Sequence, residues 1–337
     1  MKRSSLIDNG QRAVIITPAL RADNNGNWQT ARRWQRFLAP LLPTRLTQCW
    51  PDAHAADDTL MIALHARRSA EAVAAWHARH GDARLAVVLT GTDLYRDIDQ
   101  DAAAQRSLAL AHSLVVLQER GLQALPASVR GKARIIFQST ASRQTLVKSS
   151  HRLRAVMVGH LREEKSPVTL FAAARRLADQ RDIFIDHIGA ALDPVLARQA
   201  EETMAMCSNY RWLGGRPHEE VRRRIQRAHV LIHASRMEGG AHVVMEAIAS
   251  GTPVLASHIE GNIGMLGTDY AGYFPWNNES ALAALLVACR ASQSRAGGAY
   301  RLLEQLAAQC TRRAPLFAPA TEQAAVRQLV NELLGGR

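Results

Sequence analysis

The chain is 337 residues long, 47% hydrophobic and 5% aromatic, with a formal net charge of +12. That length accommodates two domains with a full core each, and the lack of any apolar run of spanning length excludes helical membrane insertion. The basic balance comes mostly from scattered arginines, such as Arg222, Arg223, Arg224 and Arg227, on what read as helix faces. Aromatics are few and no stacking platform appears, so no nucleic-acid partner is expected and the charge suits a small anionic substrate.

Met1 to Gln11 is polar and lacks the apolar core of a signal peptide. Cys49, Cys207, Cys289 and Cys310 lie far apart, with no C-x-x-C pair, and read as separate reduced thiols. A soluble, cytoplasmic protein is the expectation.

In chain order, the first half alternates strand and helix. Ala13 to Thr17 is a short apolar strand, and Gly26-Asn27 precedes a helix from Trp28. That helix places Trp28, Ala31, Trp34, Leu38 and Leu41 on one stripe. Leu60 to Leu64, Leu85 to Leu89, Leu114 to Leu117 and Ile135 to Phe137 read as buried strands, with helices such as Ala70 to Arg79 and Gln105 to His112 between them. Uniformly apolar strands alternating with helices predict an α/β fold with a parallel sheet covered on both faces.

From Ser139 to Arg152 the chain turns polar and basic, which marks a domain boundary. A second alternating set follows: Ala155 to Val158, Ile183 to Ile188, Val230 to His233 and Val254 to Ala256, with a last helix over Thr321 to Leu334. Two Rossmann-like domains facing a central cleft fit this pattern, with the site on loops at the carboxyl ends of the strands. The expected division is 1–148, 149–311, and a C-terminal helical segment, 312–337, packing back on the first domain.

Chemistry concentrates in S-R-M-E-G-G-A-H-V-V-M-E-A, Ser235 to Ala247. Gly239 and Gly240 uncover backbone N–H groups at a helix start, where an anion is favoured. Glu246 lies further into the helix and can accept from ribose-like hydroxyls, with Glu238 at the lip of the loop. Two acids so spaced also occur as a solvated pair flanking an ordinary core helix. The strand before and Gly251-Thr252-Pro253-Val254 after favour the site.

This E-x7-E element resembles the donor-site motif of retaining GT-B glycosyltransferases of family 4. The resemblance implies that Glu246 binds the nucleotide ribose and that Glu238 lies near the donor sugar. It extends to Val158-Gly159-His160-Leu161-Arg162-Glu163-Glu164-Lys165, which is similar to the family's G-R-L-x-x-x-K element and matches Lys165 to the diphosphate lysine. His160 stands where the family usually carries arginine; either Arg162 replaces that charge or the missing guanidinium marks a different phosphate geometry. Exposed charges at a helix start are the plain alternative.

Other loops carry weaker signals. Gly26 and Asn27 follow a strand and can face a phosphate or be connective. Gly261 and Asn262, in E-G-N-I-G, offer backbone amides to phosphate or sugar, or form an ordinary turn. In the first half, L-H-A-R-R-S and L-T-G-T-D-L-Y-R-D follow buried strands and bring Arg67, Arg68 and Arg96 together with Thr90, Thr92 and Asp93. An anionic second substrate explains that set better than a neutral acceptor, although each arginine can also be a surface residue with a packed stem. His65 titrates near working pH and suits acid or base work, or a structural place at a strand end.

Together with R-W-L-G-G-R-P, these motifs resemble one branch of family 4, the selenosugar synthases of selenoneine biosynthesis, over residues 25–275. The resemblance implies transfer of selenium from selenophosphate to the anomeric carbon of a UDP-sugar, UDP-N-acetylglucosamine or UDP-glucose, followed by loss of phosphate. It implies donor contacts from Gly26, Asn27, His160, Arg162, Lys165, Arg216, Glu238, Gly239, Gly240, Ala241, Glu246, Gly261 and Asn262. The nucleophile side falls to Arg67, Arg68, Thr90, Thr92, Asp93 and Arg96, and catalysis to Glu238, Lys165 and His65. Thr90 stands where ordinary members carry a histidine, and a selenium anion has less need of a base. No metal-ligand cluster or D-x-D element is evident, so no metal and no cofactor is expected. An ordinary glycosyltransferase with an alcohol acceptor, and a non-catalytic nucleotide-sugar or RNA-binding protein, are the alternatives.

Overall fold

The computed structural model describes residues 10–19, 26–293 and 301–335. Most of the polar N-terminal stretch, and Asn25 at the start of the resembling region, lie outside them. The described chain separates into two compact units. The first holds the residues up to Ser139, Glu238–Gly240 and those from Pro319; the second holds Thr140–Met237 and Ala241–Ala318.

The first unit is built on six parallel strands: β1 (Ala13–Ile16), β2 (Thr44–Thr47), β3 (Leu60–Leu64), β4 (Leu85–Val88), β5 (Ser113–Val116) and β6 (Ala133–Ile135), in the order β2-β1-β3-β4-β5-β6. Side chains alternate across a strand, so this sheet feeds two cores. Val14, Ile16, Met61, Ala63, Leu85 and Val87 pack with Trp76 on one face. Ala13, Ile15, Leu60, Ile62, Ala86 and Val88 pack with Trp34 and Leu38 on the other. Each fully buried Val, Leu, Ile or Met side chain contributes about 1.5–3 kcal/mol over its exposed state.

The second core is closed by the C-terminal helix Pro319–Gly335, whose Val326, Leu329, Val330 and Leu333 lie against the helix Gly26–Leu38. Glu322 anchors it. This wholly buried carboxylate accepts from Arg33 Nε at 2.6 Å, Trp34 Nε1 at 2.7 Å and the Ser139 backbone N–H at 2.7 Å. A buried charge is tolerated when paired and hydrogen-bonded in this way.

The second unit repeats the plan with β7 (Leu153–Val158), β8 (Ile183–Ile188), β9 (Tyr210–Trp212), β10 (Val230–His233), β11 (Val254–Ser257) and β12 (Tyr273–Phe274), all parallel, in the order β12-β11-β10-β7-β8-β9. The polar stretch after Ser139 forms no regular element up to Arg152 and is tied to this unit, through Arg143 N–H to Ala249 O at 2.8 Å and Gln226 Nε2 to Gln144 O at 2.7 Å.

Four expectations change. Gly26 and Asn27 are the first residues of the helix Gly26–Leu38, whose Gly26 carbonyl accepts from Thr30 Oγ1, so they form no connecting loop. Gly261 and Asn262 sit inside the helix Glu260–Leu266 and are buried, so E-G-N-I-G is no open turn. The expected strand Ile135 to Phe137 runs from Ala133 to Ile135, and the expected helix Gln105 to His112 runs from Ala102 to Leu110, where the Asp101 side chain caps it.

Candidate active site

In the second unit, β7 runs into Gly159 and a single tight turn, Glu163–Lys165, before Pro167 starts a helix. Ser166 takes up a left-handed conformation, φ 48°, which turns the chain between the two. The stem of Lys165 lies over Gly159, where an added Cβ would meet its Cγ at 3.2 Å. His187, two residues upstream of Gly189, supports this loop from beneath. Its Nε2–H donates to the Gly159 carbonyl at 3.2 Å, and its Nδ1 accepts from the Tyr210 hydroxyl at 3.0 Å. Burial pushes its pKa down to about 4, so the ring is neutral at ordinary pH. Gly189 touches the same carbonyl; a Cβ there would lie 1.9 Å from Gly159 O. Neither His187 nor Gly189 is legible as a site residue in sequence, because both act through β7.

His160 accepts the Ala190 N–H on Nδ1 at 3.0 Å, which leaves Nε2 as the protonated nitrogen. Burial, with help from Arg162 and Lys165, lowers its pKa. A neutral imidazole therefore stands where the resembling family has a guanidinium. Arg162 is exposed, and its nearest carboxylate is Glu164 at 3.9 Å. Arg216 is exposed, close after Gly214 at φ 68°.

Glu246 projects from the helix His242–Ile248 and is 4% exposed. His218, the first residue of the helix His218–Arg227, donates from Nε2 to Glu246 Oε1 at 2.5 Å. The carboxylate expected to meet a ribose is thus already engaged by a residue that sequence reading passed over. The bond to Glu246 raises the pKa of His218.

Two other expected donor contacts are occupied. The Ala241 N–H points at Met265 Sδ, 3.1 Å away. Asn262 has its amide between His233 Nδ1 at 2.9 Å and the Ser257 carbonyl at 2.9 Å, wholly buried. Both are better described as holding the loops behind the site in shape.

In the first unit, Glu238 and Gly239 lie against Thr90 and Gly91, and Gly240 lies against Leu117 and Gln138. A Cβ on Gly239 would fall 2.5 Å from the Thr90 carbonyl carbon and 2.6 Å from Gly91 N, so only glycine permits this approach. Asp93 organises the adjoining loops. Its Oδ1 accepts the N–H groups of Thr90 and Gly91 at 2.8 and 2.9 Å, and its Oδ2 accepts that of Ala66 at 3.0 Å. With the side chain fully buried and both oxygens used, Asp93 serves the loop and has no free edge for a nucleophile.

His65 sits at φ 74°, a strained position for a non-glycine residue. It is 2% exposed, its pKa lowered mainly by burial, and Nε2 lies 3.2 Å from Thr92 Oγ1. The Arg68 N–H faces Nδ1 at 3.4 Å, so the neutral ring carries its proton on Nε2. That nitrogen is a donor, suited to an anion's oxygen or the Thr92 hydroxyl. Arg67 and Arg96 both bind Asp97, at 2.8 and 3.2 Å. Asp97 was not among the expected residues, though it closes the L-T-G-T-D-L-Y-R-D motif. Of the three arginines, Arg68 alone has no carboxylate within ion-pairing distance among the described residues.

Among the described residues no group of three or more His, Cys, Asp or Glu is placed to hold a metal ion, and no helix is long and apolar enough to cross a membrane.

Residues 138–289 match the family described as glycosyl transferases group 1. A curated relative, glycosyltransferase 1 domain-containing protein 1 of Xenopus tropicalis, is 25% identical over 126 residues, which are 37% of this chain and 36% of that protein. The chain thus spans about a third of the length of the relative it matches. Among solved structures, sucrose-phosphate synthase of Thermosynechococcus elongatus superposes with a TM-score of 0.74 at 17% identity, over 97% of this chain and 100% of that one. A glycosyltransferase from Rickettsia africae gives 0.72 at 14% identity, over 98% and 100%. Anabaena HepE, solved with UDP and glucose, gives 0.70 at 13% identity, over 96% and 100%. At these identities the likeness concerns fold. Residues 138–289 are thus similar to the glycosyl transferases group 1 family, in a chain whose two parallel Rossmann-like sheets have the fold of GT-B glycosyltransferase structures.

Proposed function

We propose that the protein is a UDP-sugar-dependent glycosyltransferase whose nucleophile is selenophosphate. The observation that carries the donor half of this reading is the family match over 138–289, the segment that contains Lys165, Arg162, Arg216 and Glu246. Glu246 is the ribose acceptor, Lys165 takes up the charge that grows on the departing diphosphate, and Glu238 with Gly239 and Gly240 faces the sugar. HepE, whose structure contains UDP and glucose, supports a UDP-sugar as donor class.

In the reaction, selenium attacks the anomeric carbon of UDP-N-acetylglucosamine or UDP-glucose, the bond to the diphosphate oxygen breaks, and its electron pair leaves with UDP. Water then cleaves the P–Se bond, releasing phosphate. The selenium anion is nucleophilic without a base, so the protein's tasks are positioning and stabilising the leaving group. The motifs of the first half support this nucleophile, together with a neutral His65 presenting Nε2–H beside Thr92 and an Arg68 with no carboxylate in ion-pairing distance among the described residues.

One observation favours a second reading. Arg67 and Arg96 share Asp97, so the loops carry less net positive charge than three arginines suggest, and a neutral alcohol acceptor fits that balance. Incubating the purified protein with each UDP-sugar and either selenophosphate or simple alcohols, with products identified by mass, separates the two. A selenosugar with stoichiometric UDP supports the first; transfer to alcohols with no response to selenophosphate rejects it and leaves the second.

A further inference from the structure

We infer that the second unit carries another anion site, separate from the donor loops, for a soluble ligand bearing at least two phosphate groups. The helix His218–Arg227 places Glu220, Arg223, Arg224 and Arg227 at i, i+3, i+4 and i+7, one stripe, while Val221 and Ile225 are buried on another. Opposite that stripe, β7, β8 and β9 present Arg154, Phe184, Asp186 and Arg211, with Arg154 paired in register to Phe184 and Asp186 to Arg211. A parallel sheet ordinarily shows apolar residues on such a face. Here the face is charged, and with the helix it encloses a cavity of about 580 Å³.

Six arginines line this cavity, Arg152, Arg154, Arg211, Arg223, Arg224 and Arg227, against two carboxylates, Asp186 and Glu220. Those carboxylates are committed: Arg211 binds Asp186 at 2.7 Å, and Arg224 reaches Glu220 at 2.9 Å and Asp186 at 3.6 Å. Arg152 lies over the Phe184 ring, 5.8 Å from its centre. Arg154, Arg223 and Arg227 have no carboxylate within ion-pairing distance among the described residues. Four positive charges are in excess.

Guanidinium forks match phosphate oxygens in pairs, and their mutual repulsion is relieved by a multiply charged anion. Two phosphate groups balance the excess, and the volume lies within the range of small-ligand sites, roughly 300–1,000 Å³. The concave shape suits a small molecule better than a membrane surface. None of Arg162, Lys165, Arg216 or Glu246 lines the cavity, which runs alongside the strands and away from the loops at their carboxyl ends. The site therefore stands or falls independently of the sugar-transfer reading.

Calorimetric titration of the full chain with inorganic tripolyphosphate at low salt tests it. We expect saturable binding that weakens about tenfold or more in the triple variant R154Q/R223Q/R227Q, with UDP affinity unchanged in that variant and in wild type saturated with tripolyphosphate. The triple lysine variant, which keeps the charges, should bind better than the glutamine one. Absent binding, equal binding by the glutamine variant, or competition with UDP each overturn the inference. So does capture of wild type by anionic phospholipid vesicles with no binding of free tripolyphosphate, which would reassign the patch to a lipid surface.

Discussion

His218 Nε2 lies 2.5 Å from Glu246 Oε1, so the acid proposed to hold the ribose meets an imidazole from a helix that starts 28 residues earlier. The two groups are unequal: the His218 side chain is 60% exposed and that of Glu246 only 5%. Glu246 raises the pKa of His218 above its ordinary 6.5, Glu219 adds to this, and Arg222 opposes it. Below that raised value the imidazolium holds the carboxylate firmly; above it the neutral ring competes less well with ribose hydroxyls. UDP affinity is therefore expected to rise as pH rises through the raised pKa. Calorimetry across pH 6–9 checks this, and His218→Gln should flatten the profile. The same sign governs stability: the pair's contribution is full below the unfolded pKa and fades as pH rises through the folded one.

Lys165 is expected to matter more as the reaction proceeds, because negative charge builds on the leaving diphosphate. Lys165→Ala should lower kcat as well as weaken donor binding. If steady-state kinetics show a higher donor KM with kcat intact, the lysine anchors the ground state only.

The first-half arginines should not be equivalent. Arg67 is neutralised by Asp97 while Arg68 is not. Arg68→Gln is expected to raise the KM for selenophosphate by about tenfold, a charge-assisted contact, and to leave that for UDP-sugar nearly unchanged. Arg67→Gln should have a smaller effect. Equal effects on both substrates would place Arg68 outside the nucleophile site.

Glu322 supports the first unit from the far end of the chain. Removing its charge strands the largely buried Arg33 and leaves Trp34 Nε1 and the Ser139 amide unpaired, and breaking a buried pair costs about 3–5 kcal/mol. Glu322→Ala should lower the denaturation midpoint accordingly, with UDP affinity of the surviving folded fraction unchanged. A midpoint within error of wild type would show that the helix is held by its apolar face alone.

Much of this protein is legible without coordinates. Strands buried on both faces are uniformly apolar, which is why β3 and β4 stand out as Leu60–Leu64 and Leu85–Val88. Edge and near-edge strands hide: Thr44–Thr47 reads T-R-L-T and Tyr210–Trp212 reads Y-R-W, too short and polar for a periodicity argument. The site divides the same way. Glycines, acids and the lysine of the donor loops announce themselves because local chain geometry and charge are written in neighbouring residues. What occupies each group is set by partners far away in sequence. His218 on Glu246, Asp97 on Arg67, His187 under Gly159, Met265 on the Ala241 amide and the burial of Asn262 all come from packing between elements. Residue type and spacing determine which groups can do chemistry; three-dimensional proximity decides which of them remain available, because a hydrogen bond or ion pair already made within the fold must be exchanged before a ligand can use the same atom.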